Sequence, residues 1–160
     1  MRSLRQNAIV AVLGCLLSGS AIACSDCGKK LMSEEEFDRR GWDYAEHVFV
    51  GLVTRSELVP KTSEIRYAVE PDEILKGNPD TVERIYSHRL ISEWNGLEMW
   101  ACGDLIVSVG DRIIVFANSD GQASLGLCSS SRVIEGVAAP VAAEVERTLQ
   151  RLRQWSEEVR

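Results

Sequence analysis

The residues with the most chemistry in them are the cysteines, Cys15, Cys24, Cys27, Cys102 and Cys128. Cys24-Ser25-Asp26-Cys27 has the spacing of a dithiol redox centre, but that chemistry needs a thiolate held at a helix N-terminus after a strand. No strand pattern precedes this pair. A structural zinc would need a second close pair of ligands, whereas Cys102 and Cys128 stand apart and the chain holds only two histidines, His47 and His88. Neither a metal nor a cofactor of its own is expected. The sequence also lacks Gly-x-Ser-x-Gly, His-Glu-x-x-His and a glycine-rich phosphate loop. Carboxylate pairs such as Asp72-Glu73 say little in a chain with 24 acidic residues. An enzyme is not supported, and the cysteines read best as structural.

Their setting comes from the first 23 residues. Arg2 and Arg5 precede an apolar run from Ala8 to Leu17, and Ala21-Ile22-Ala23 places small residues where a signal peptidase cuts. Ser18, Gly19 and Ser20 break the run short of the roughly 20 apolar residues that span a bilayer. Residues 1–23 are therefore expected to be a signal peptide, with no transmembrane segment after its removal and a periplasmic or secreted destination. Cleavage takes 23 of the 160 residues and leaves 137, enough for one domain. It also takes two arginines from a formal net charge of −6, leaving −8, which argues against nucleic acid as a partner. Cys15 leaves with the leader. The four remaining cysteines, Cys24, Cys27, Cys102 and Cys128, read as two disulfides with three possible connectivities. Lipid attachment is the alternative, since Val12-Leu13-Gly14-Cys15 and Ala21-Ile22-Ala23-Cys24 are both imperfect versions of the acylation box.

The elements that would position these cysteines are legible in part. Ser33 and Glu36 have the spacing of a capping box, opening a short helix that Gly41 is expected to end in a left-handed conformation. His47–Val53 is apolar on both alternating faces, which suits a strand lining a barrel on one side and covered by a helix or loop on the other. Gly51 within it marks a bend or a close approach. A second strand is expected at Ile65–Glu70, ended or bulged by Pro71, and a weaker third at residues 81–88. Residues 89–101, with Trp94, Asn95-Gly96 and Trp100, read as a long loop. Arg112–Ala117 and Gln122–Leu127 flank Asn118-Ser119-Asp120-Gly121 as a hairpin. After Pro140, Val141, Val145, Leu149, Leu152, Trp155 and Val159 form a helical stripe expected to dock on the barrel.

In this order, several stretches carry a resemblance. They are the cysteine pair at the cleavage site, Val48-Phe49-Val50-Gly51-Leu52-Val53, the strand ending at Leu75-Lys76-Gly77, Cys102-Gly103 followed by Val109–Phe116, and Leu127-Cys128-Ser129. Over residues 24 to about 130 the chain resembles the bacterial relatives of the tissue inhibitors of metalloproteinases, netrin-like proteins with an OB-fold. The resemblance implies a five-stranded Greek-key barrel, which with the two helices read above gives a domain over 24–138 with a short N-terminal helix and residues 139–160 as an amphipathic helix packed on it. It also implies the pairings Cys24–Cys102 and Cys27–Cys128. In the animal inhibitors the mature N-terminal cysteine lies over the protease zinc, its free amine and carbonyl displacing the catalytic water, and the next residue enters the specificity pocket. The matching positions here are Cys24 and Ser25. The animal pattern separates the first two cysteines by one residue and this chain by two, which redirects the ridge and adds the carboxylate of Asp26.

Two functions are thus expected to compete. One is a metalloprotease-inhibitor-like protein acting on a zinc metalloprotease through the Cys24–Ser25 ridge. The other is a non-inhibitory envelope or secreted module that binds another protein, for which Trp94 or Trp100 on an exposed patch would be anchors, although the favoured expectation for both is to cap the barrel core. Acylation at Cys24 or Cys15 would remove the free amine and leave an anchored protein.

Overall fold

The computed structural model describes residues 32–88, 91–94, 97–100, 107–126, 128–136 and 139–159. Their order is α1 (Glu34–Tyr44), β1 (His47–Leu58), β2 (Glu64–Lys76), a 3-10 turn (Pro79–Thr81), β3 (Arg84–His88), β4 (Ile91–Trp94), β5 (Leu97–Trp100), β6 (Arg112–Ala117), β7 (Gln122–Ser124), β8 (Arg132–Glu135) and α2 (Ala142–Val159). The fold is mainly β, a curled half-barrel of six strands in the order β7-β3-β2-β1-β6-β8 with two helices. Its pairings are antiparallel except β3 with β7, which is parallel.

The two-sided apolar pattern of β1 and β6 explains how helices and curl share one sheet. Successive side chains of a strand leave on opposite faces. Val48 and Val50 of β1, with Ile114 and Phe116 of β6, point into a cluster with Trp42 of α1 and Leu149, Leu152 and Trp155 of α2. Phe49, Val53, Ile113 and Val115 point the other way, into the curl, against Tyr67, Ile85 and Leu125. Each such fully buried side chain contributes about 1.5–3 kcal/mol of transfer free energy, and these two strands supply both cores. The α2 stripe docks through its centre. Val141 and Val159 at its ends are 74% and 66% exposed.

Several elements differ from the sequence expectations. The capping box forms, with the Glu36 N–H donating to Ser33 Oγ at 3.2 Å and the Ser33 N–H to Glu36 Oε2 at 2.7 Å. The helix does not end at Gly41, however. It runs to Tyr44 and caps at Ala45, because Gly41 is needed for space: a Cβ there would collide with Oγ and Cβ of Ser130. Lys76 Nζ donates to the Trp42 and Ala45 carbonyls, satisfying helix-end acceptors that a glycine cap would otherwise take. Of the two outcomes expected at Pro71, the strand's end does not occur and an irregularity does: β2 passes through Pro71, with a register shift between Val50 and Gly51 on β1 where Gly51 pairs with Pro71. Residues 89–101 are not simply a loop, since β4 and β5 pair there as a separate two-stranded sheet, with Trp94 in register with Leu97. Strands of four residues are too short to show a period. β7 ends at Ser124, short of the expected Leu127, and β8 was not expected, for the same reason of length.

Candidate functional site

Cys24, Ser25, Cys27 and Cys102, and with them the expected ridge and both of its expected pairings, lie outside the described residues. Cys128 is described. It is exposed and disulfide-bonded, and it is the one cysteine among the described residues, so its partner lies outside them. The loop that carries it is tightly tied. The Ser129 N–H donates to the Gly126 carbonyl at 2.9 Å, the Ser131 N–H to Ser129 Oγ at 3.0 Å, and the Phe116 N–H of β6 to Ser131 Oγ at 2.9 Å.

Cys128 borders a hollow of about 440 Å³ on the outer side of α1, lined also by Met32, Phe37, Arg40, Gly41, Tyr44 and Ser130. Position 41 lets α1 lie directly on Ser130, which fixes the floor. Tyr44 is 76% exposed, and Arg40 stands over its ring at 5.9 Å. Among the described residues that line the hollow, Arg40 is the one that carries a charge. The surface therefore offers aromatic and aliphatic area with one guanidinium, a combination suited to a protein contact. Met32 also lines a second hollow of about 290 Å³, with Ser33, Glu34, Phe37, Asp38, Arg132, Pro140 and Glu144.

Asp38 at the base of that second hollow is fully buried. Arg132 Nη2 lies 2.7 Å from Oδ1 and Arg151 Nη2 lies 2.6 Å from Oδ2, so one carboxylate of α1 ties β8 to α2. The Arg151 contact is an aligned hydrogen bond, whereas the Arg132 contact is close but off the hydrogen-bonding line. Thr148 Oγ1 accepts from Arg132 at 3.2 Å. This cluster holds the helices behind the first hollow in place.

Two arrangements with the spacing of catalytic groups are tied into hydrogen bonds and ion pairs of the fold. Thr81 Oγ1 lies 3.0 Å from His47 Nε2, the separation of a nucleophile and its base. The Asn78 N–H, however, donates to His47 Nδ1 at 3.1 Å, so the lone pair is at Nδ1 and the proton at Nε2. His47 therefore donates to Thr81, which in turn donates to the Asn78 carbonyl at 2.7 Å. The trio clamps the turn after β2. The adjacent carboxylates Asp72 and Glu73 are separately paired, Asp72 with Arg112 at 2.8 Å and Glu73 with Arg153 through both its oxygens at 2.7 and 2.9 Å. The hydrogen bond from Arg153 outweighs burial and holds the Glu73 carboxyl below its ordinary range. Buried Glu64 is held low chiefly by its hydrogen bond from Arg66 at 2.7 Å, with Arg84 adding to it. Tyr86 stacks edge-on to His88. No cluster of three or more metal-ligating side chains occurs among the described residues, and no helix among them is long and apolar enough to cross a membrane.

In comparisons with known proteins, no family model matches the chain and no curated protein matches it.

Sequence reasoning named Cys128 and missed the hollow beside it. One signal was present: Phe37, Gly41 and Tyr44 recur at spacings of four and three, an apolar line along α1 separate from the buried positions Asp38 and Trp42.

Proposed function

We propose that this chain is an exported, disulfide-bonded barrel protein of OB type that acts as a metalloprotease-inhibitor-like protein through its N-terminal Cys24–Ser25 ridge. The barrel reading is supported by the way neighbours chain together. β1 pairs with β2, β2 with β3, β3 in parallel with β7, and β6 with β1, while the expected hairpin of β6 and β7 forms only as a turn, the Asn118 N–H donating to the Gln122 carbonyl at 3.0 Å, with β7 pairing to β3 instead of β6. The sheet itself is open, with β7 at one edge and β8 at the other; its curl and the short return from β6 to β7 support reading it as a small Greek-key barrel.

The observation that supports the functional reading is the position of oxidised Cys128 on the same hollow as Met32, a residue close in sequence to Cys27. A disulfide at this point tethers a second segment of chain to the rigid β6–β8 frame. With Cys27 as its partner and Cys24 joined to Cys102, the α-amine and carbonyl of Cys24 are held in one geometry. A free α-amine, with a pKa near about 8, binds metal in its neutral form, and holding it fixed in advance lowers the entropic cost of docking.

The deciding experiment is intact mass with N-terminal sequencing on protein from its native source, followed by inhibition assays on a panel of zinc proteases. A terminus at Cys24 with a mass four hydrogens below the reduced chain, and inhibition abolished by one alanine added ahead of Cys24, are the expected results. An acylated terminus, or inhibition indifferent to the extension, overturns the reading. The exposed Tyr44 and Arg40 favour a second reading, a non-inhibitory protein-binding module. That module would tolerate the added alanine and lose its partner with Tyr44→Ala.

A further inference from the structure

We draw no further inference here: the strongest candidate, the hollow on the outer side of α1 lined by Phe37, Arg40, Tyr44 and Cys128, belongs to the site already described, and nothing in the structure shows what covers it.

Discussion

Asp38 joins three elements through one side chain, and a buried carboxylate shared by two arginines is costly to break from one side. Asp38→Ala leaves Arg132 and Arg151 facing each other without a counter-charge, and removal of one partner from a buried pair typically costs about 3–5 kcal/mol. Urea denaturation of this variant is expected to show a loss of that order; a change below about 1 kcal/mol, the scale of an exposed pair, would mean that water already reaches the cluster. Gly41 poses a contest of signs. Alanine in a helix interior gains up to about 1 kcal/mol over glycine, but the Cβ would press on Ser130, and overpacking costs about 1–3 kcal/mol. Gly41→Ala is therefore expected to destabilise, and adding Ser130→Gly is expected to turn the effect favourable. Glu64 and Glu73 set the response to acid. Both carboxyls are held below the ordinary glutamate range in the folded protein, each chiefly by a hydrogen bond from an arginine. Their contribution is complete above the unfolded value and is lost as pH falls from there through the lower folded values. Stability followed by urea midpoint is expected to decline below about pH 4.5, and the decline to flatten in the Glu64→Gln, Glu73→Gln double variant. An unchanged acid slope would assign the effect to other carboxylates.

At the scale of elements, what could be read in advance depended on length and period. α1 announced itself through Ser33 and Glu36, and α2 through its stripe, because a cap and a 3.6-residue repeat are local signals. β1 was readable as a strand buried on both sides because a run of apolar residues leaves no polar face, and β6 as a strand from the turn residues that follow it. The extent of β2 was not readable. Its second half, Pro71–Lys76, is held by pairing with β1 far away in sequence, and Pro71 is tolerated because an irregularity sits opposite. β4, β5, β7 and β8 have three or four residues each, fewer than a period-two pattern needs to stand out. The hollow was invisible for another reason: only the packing of α1 on Ser130 brings Tyr44 beside Cys128. The central residue of the α2 stripe gives a test of docking. Leu152 is fully buried between the helices and β1, and Leu152→Ala is expected to cost about 2–5 kcal/mol, with amide exchange quickening along α2 and in α1. Quickening confined to α2 would show that the helices are held independently.

For the whole molecule, the proposed pairings close long loops across the barrel, so Cys102→Ser is expected to lower the melting temperature measurably under oxidising conditions, as loss of a native disulfide typically costs about 2–5 kcal/mol. An unchanged melting temperature would exclude the Cys24–Cys102 bond. The two cores share β1 and β6 as their common wall, so heating is expected to give one transition by both fluorescence and circular dichroism. That shared wall has a less obvious cost. A strand with one oily face declares its own alignment, because sliding it by one residue would turn that face to water. β1 is oily on both faces, so a slip would merely exchange Val48 and Val50 with Phe49 and Val53 between two apolar compartments. What forbids the slip is a gap: at Gly51 a side chain would meet Val69 Cγ1 at 2.6 Å and the Glu70 carbonyl at 2.7 Å, so no neighbouring valine, leucine or phenylalanine can be shifted into its place. The missing side chain acts as the notch that indexes the sheet.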